Sequence, residues 1–387
     1  MSSMADVSTA AGPVRVRRFW RASTIAVGIV VGTLLIALTI GVLQTGYVRR
    51  DIQVLLSGQD LRSGGWLSRM VVHAVGMLPN LAQQQLVLSL LASATSGVLF
   101  AALYDRLRRN GWYAAGTIAV IAAILAHAGT LYTFTAWSTA IPLFIAFAVL
   151  IPFIRALEDV GDVQAAIGLG MVLPLLVLAG PTPALLIPPL AIGAALADPD
   201  ARRDPRAFIA MILVATLPTL IVIFGILGYT AQAGLNPLDV LVPYVATYGR
   251  LQVGNMAGSI ATLTAFAPCL VVPIAYCFWP ALPERRHIVS ALAVVALPLY
   301  LAVARVFLNT AMPALTPPLA LIAAMVSWLA VVRLPLGLRI LAVVMLVVSA
   351  TMSWVTPMLW DDPAWRGAML ELVPGGSAAP PALRPSL

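Results

Sequence analysis

The stretch "YVRRDIQVLLSG" sets one acid, Asp51, directly after Arg49 and Arg50 and before an aliphatic run. A carboxylate so placed can act as a general base towards an acceptor hydroxyl. Neighbouring guanidinium groups can bind a phosphate or pyrophosphate and stabilise it as it leaves. Further on, Arg69 and His73 stand four residues apart, so on a helix they can face a common partner. A second polar stretch, 229–257, adds Asp239, Tyr244, Tyr248, Arg250, Gln252 and Asn255. These residue types suit group transfer from a phosphate-bearing donor. Asp51 is then the catalytic base. Arg49, Arg50, Arg69, His73, Asp239, Tyr244 and Arg250 are the candidate substrate contacts. A second reading is equally physical: Arg50 and Asp51 form a surface ion pair worth little, and the arginines are interfacial anchors.

Other chemistry is thinly represented. There is no phosphate-cradling P-loop, nucleophile elbow, HExxH or His/Cys cluster. Cys269 and Cys277, eight residues apart in an apolar run, are expected to be free thiols. No cofactor is required, although the paired acids Asp361 and Asp362 would suit a divalent cation. His127 and the aromatic turn "HAGTLYTFTAW" fit an interfacial belt.

These residues must be positioned by membrane helices. Of 387 residues, 61% are hydrophobic and 10% charged, with a mean hydropathy of +0.96. A soluble domain is roughly a quarter charged. Apolar runs near the bilayer-crossing length recur, and a chain made of them must satisfy its backbone inside helices. The expected fold is an all-α polytopic membrane protein of about eleven spans. They lie near 24–43, 84–103, 112–130, 136–154, 163–179, 182–197, 207–228, 258–279, 288–306, 317–332 and 336–358. The expected organisation is an N-terminal segment 1–23, a membrane domain 24–358 and a tail 359–387 whose Pro- and Ala-rich end favours disorder.

All 23 basic residues are arginine. Fifteen fall on the side of the N-terminus, led by "YDRLRRNGW" and "DPDARRDPR", against eight on the other. The positive-inside rule therefore predicts a cytoplasmic N-terminus and an external C-terminus. The arginine-rich, lysine-free usage suggests a bacterial inner membrane. The net charge of +8 is assigned to topology and lipid headgroups, not to nucleic acid.

The external loops are then 44–83 and 229–257. Within the first, Ile52, Leu55 and Leu56 share one side of a short amphipathic helix that "SG" stops. Leu67, Val71, Ala74 and Leu78 form the stripe of a second helix, also lying on the membrane surface. The span interiors are almost free of ionisable groups, which argues against ion-coupled transport.

This order of parts resembles the GT-C fold of membrane glycosyltransferases that use polyprenyl-phosphate sugars. The resemblance covers the first six spans, about half the chain. It rests on the first span, the long external loop with an acid near its start, and the span ending in "YDRLRRNGW". Tight hairpins at 112–154 and 163–197 follow. It implies a transferase acting at the periplasmic face, with Asp51 at the family's catalytic acid and a polyprenyl-phosphate donor as lipid partner. Two other functions are compatible with the sequence: a non-catalytic membrane subunit with protein partners, and a lipid or lipid-linked-glycan transporter.

Overall fold

The computed structural model describes residues 21–44, 67, 71, 74–127, 130, 137–159, 163–234, 236, 267–279, 285–307 and 316–360. Among these residues the chain is all-α. The helices are α1 (Ala22–Gln44), α2 (Leu81–Arg109), α3 (Ala114–Ala126), α4 (Trp137–Glu158), α5 (Val163–Val172), α6 (Pro174–Ala179) and α7 (Pro181–Ala184). Then come α8 (Ile187–Ala197), α9 (Pro199–Arg203), α10 (Pro205–Gln232), α11 (Val271–Cys277), α12 (Arg285–Phe307), α13 (Thr316–Val331) and α14 (Leu336–Trp360). Four stretches are long and apolar enough to cross a bilayer: Leu86–Arg109, Pro205–Gln232, His287–Ala304 and Leu336–Val355. That architecture fits a membrane location.

The first two helices pack through small residues. Gly28 and Gly32 on α1 are one turn apart and meet Ser93, Gly97 and Ala101 on α2. As the α1 number rises the α2 number falls, so the pair is antiparallel. A Cβ on Gly97 would sit 2.7 Å from the Gly28 carbonyl oxygen, so glycine is required for this backbone approach. Such small-residue seams are how helices associate in lipid, where burial of apolar surface drives nothing.

α2 ends in a Schellman motif. Trp112 N–H donates to Leu107 O at 3.1 Å and Gly111 N–H to Arg108 O at 3.3 Å. Gly111 takes φ +85°, a conformation that costs glycine little. The turn is then clamped to the end of α13. Asn110 Nδ2 donates to Leu329 O at 3.1 Å and Val332 O at 2.7 Å. Arg339 donates to Leu334 O at 2.7 Å and to Gly111 O, with its guanidinium 5.8 Å from the Trp112 ring centroid.

α13 is the axis of the bundle: every residue from Leu321 to Ala330 is buried. A helix apolar on all faces is stable only when enclosed, and here α2, α4 and α12 enclose it. α10 is its opposite. It touches α5 closely, where a Cβ on Gly170 would meet Val214 O at 3.0 Å. Its Leu213, Leu217, Ile221 and Phe224 remain exposed.

Two expected spans are broken into short pieces. The run 163–179 divides at Pro174, which removes a helical donor, into α5 and α6. The run 182–197 begins after Gly180, whose φ of 141° stops α6, and forms α7 and α8. "DPDARRDPR" is built from two repeated caps. Asp198 and Asp204 accept from the N–H of Asp200 and Arg206 at 3.0 and 2.9 Å, each followed by Pro at the first helical position.

The arginine-bearing ends lie together. Antiparallel pairing puts Arg21 at the α2 end that carries Arg106, Arg108 and Arg109. Arg155 closes α4 within Coulombic range of Arg106. Tyr300 donates to Leu185 O at 3.1 Å, about 20 Å along α12 from His287, so α8 runs back towards the arginine face.

Candidate functional site

The sequence-predicted site residues, Asp51, Arg49, Arg50, Arg69, His73, Asp239, Tyr244 and Arg250, all lie outside the described residues. So does the first interface helix expected at 50–57. The helices that flank the first loop are described. α1 leaves at Gln44 and α2 enters at Leu81, both at the end of the bundle away from the arginines. Just before α2, Leu67, Val71 and Leu78 pack against the core. Val75 is buried with them and Ala74 is exposed, so the stripe passes through the neighbouring residue. Gln84 Nε2 donates to Leu78 O at 2.6 Å and ties this approach to the first turn of α2.

A polar cluster that the sequence reading does not single out lies at the arginine face. Glu158, at the last turn of α4, is 8% exposed. His287 Nδ1 lies 2.6 Å from its Oε2, and Ser290 Oγ donates to its Oε1. Trp328 Nε1, from α13, donates to Ser290 Oγ at 3.1 Å. Tyr276 of α11 stacks edge-on against both rings, 5.0 Å from Trp328 and 6.1 Å from His287. Side chains from four helices thus form one cluster around the buried Glu158.

The bonding order fixes what this cluster can do. A serine hydroxyl has one proton. With Trp328 donating to its oxygen, Ser290 gives that proton to Glu158, and its 3.0 Å contact with the His287 carbonyl competes with that bond. In a nucleophilic triad the imidazole stands between serine and acid and takes the serine proton. Here the carboxylate stands between serine and imidazole, so no imidazole is aimed at Ser290 and the order of a triad is not met. The arrangement satisfies a buried acid and locks α4, α12 and α13 together. The only sequence signal was one histidine after "ERR" and one acid after "RAL" in turns read for topology alone.

Cys269 is buried and Cys277 partly so, and both are free thiols, as expected. His127 is buried at the C-terminal end of α3, and Trp354 Nε1 of α14 donates to Ala126 O beside it at 2.8 Å. Among the described residues no group of three or more His, Cys, Asp or Glu side chains is placed to hold a metal ion. No family model, curated protein or solved structure matches this chain.

Proposed function

We propose that this chain is a GT-C-like transferase of a bacterial inner membrane, with about eleven transmembrane helices. It moves a sugar or related group from a polyprenyl-phosphate donor to an acceptor at the periplasmic face. Asp51 is the base, and Arg49, Arg50 or Arg250 contact the phosphate. Arg69, His73, Asp239 and Tyr244 complete the substrate contacts. The observation that supports this reading is the antiparallel α1–α2 pair. It starts and ends the first loop at the face opposite the arginine-rich turns, seven residues before Asp51. A rigid pair of helices at a loop's root is what a positioned catalytic residue needs.

The test is transfer from a polyprenyl-phosphate-linked sugar by purified protein in lipid. Asp51→Asn should abolish transfer while the protein still elutes as a folded species. Full activity in that variant would sink the mechanism. A second reading, a non-catalytic membrane subunit, draws on the exposed apolar length of α10, which a partner helix could cover. It predicts stable co-purification of a partner through α10, with Asp51→Asn silent in cells.

A further inference from the structure

We propose that α10 is a hinged helix, whose half beyond Pro218 swings as a rigid arm about the contact between Val214 and Gly170. α5 and α10 both lead away from arginine-bearing turns, so they run the same way. Where they cross, a Cβ on Gly170 would lie 3.0 Å from Val214 O and 3.3 Å from the Ala215 Cα, so the two backbones touch. Each helix then meets a proline four residues on: Pro174 after Gly170, and Pro218 after Val214. Proline has no N–H, so neither Gly170 O nor Val214 O receives the donor that the next helical turn supplies. The two breaks stand at one level, one turn beyond the contact.

A proline bend stays fixed when an unbroken neighbour braces both sides of it. α10 has no such brace in α5, which is itself divided at the matching level. α8 also packs on α10, but it starts just after Leu185 and runs back towards the arginine face. Pro218 lies about 20 Å along α10 from Pro205, so α8 flanks mainly the half that precedes the bend. Beyond the bend, the buried residues of α10 are Thr219 and Thr230. A Cβ on Gly225 or Gly228 would point into open space.

Thr219 is a second, independent sign of strain at this level. Thr216 and Thr230 of the same helix donate to the carbonyl four residues back, at 2.7 and 3.0 Å. The Thr219 hydroxyl is buried and has no hydrogen-bond partner among the described residues. A buried donor left unmade carries a cost, and a different bend at Pro218 removes it by bringing the hydroxyl to Ala215 O. The arm from Pro218 to Gln232 is about 22 Å long. A change of bend of about 20° moves position 231 by about 7 Å and position 224 by about 3 Å.

The experiment measures distances between pairs of spin labels by pulsed electron resonance, on purified protein in lipid. The labelled variants are Ile209→Cys, Phe224→Cys and Ala231→Cys, each combined with Val347→Cys on α14. All four positions are exposed. Cys277 is changed to Ala, and Cys269 has no exposed surface to take a label. α14 is a fixed reference, tied to α2 and α3 through Arg339 and Trp354. The 209–347 distance should be narrow. The spread should widen by about 3 Å at 224 and by about 7 Å at 231, in proportion to distance from Pro218. Pro218→Ala should narrow both to the 209–347 width. A 224–347 distribution as narrow as that of 209–347 overturns the hinge, even if position 231 is broad, since that pattern is fraying of the helix end. Unchanged breadth in Pro218→Ala overturns it as well. If Pro218→Ala fails to fold, the wild-type series decides alone. No activity is read, so the outcome holds whether or not Asp51 is catalytic.

Discussion

Replacing Glu158 by alanine tests whether the polar cluster holds the bundle closed. The change removes the acceptor for His287 Nδ1 and for Ser290 Oγ. A buried donor left unsatisfied costs about 1–3 kcal/mol. Ser290 recovers most of its share by turning to the His287 carbonyl, already 3.0 Å away. His287 cannot, but its ring keeps 22% exposure, so water limits its loss to the lower part of that range. The vacated side-chain volume adds a cavity cost of similar size. Together these give about 3 kcal/mol, roughly a hundredfold in the population of the opened state. Glu158→Gln is a sharper control. Its amide oxygen still accepts from Ser290, and its NH2 can donate to His287 if the imidazole proton moves to Nε2. That variant should lose only about 1 kcal/mol. The assay is the rate of Cys269 labelling by a maleimide dye at fixed temperature, with Cys277 changed to Ala. Cys269 has no exposed surface and precedes α11, whose Tyr276 packs on Trp328, so opening the cluster should expose it. When reclosing outpaces labelling, the rate follows the open population. Wild-type labelling in Glu158→Ala would refute the locking role. Equal losses in the Ala and Gln variants would refute the hydrogen-bond account and leave charge as the binding term.

The other two expectations concern backbone approach and helix termination. Gly97→Ala forces a Cβ to 2.7 Å from Gly28 O and should cost about 1–3 kcal/mol. Gly32→Ala meets its nearest α2 atom at 3.7 Å and should be neutral or slightly stabilising, as read by thermal unfolding in detergent. Asn110→Ala strips two last-turn carbonyls, Leu329 O and Val332 O, of their donor. It should cost about 1–3 kcal/mol and expose Trp112, seen as a red shift of tryptophan emission.

Helix positions were largely legible because an apolar run is a one-dimensional signal. The expected spans 207–228 and 336–358 correspond to Pro205–Gln232 and Leu336–Trp360. The breaks at Pro174 and Gly180 were less legible. Proline is tolerated in membrane helices, and whether it kinks or divides one depends on what packs around it. The enclosed position of α13 was hidden for a related reason: an apolar helix reads alike whether lipid or protein surrounds it. The Glu158 cluster was invisible because its bonds join residues 129 and 132 positions apart, from turns whose arginines dominated the reading. The arginine count did carry real information, since it sorted helix ends by face. What it could not separate was the half-buried Arg106 from Arg109, paired on the surface.

The two faces of the bundle answer to different residues. At the arginine face, backbone caps, the Asn110 and Arg339 clamps and the Glu158 cluster tie α2, α4, α12, α13 and α14 to one another. Disturbing any of them loosens the ends that carry Arg106 and Arg155. The first loop instead depends on α1 and α2, whose seam is made of glycine backbone and contains no charge. A change at that seam shifts both roots of the loop and hardly touches the arginine cluster. Charge and polar contacts at one face therefore serve cohesion, while the opposite face takes its geometry from close backbone packing. Such a seam holds the two helices by van der Waals contact alone and stays close only while Gly28 and Gly97 remain glycine.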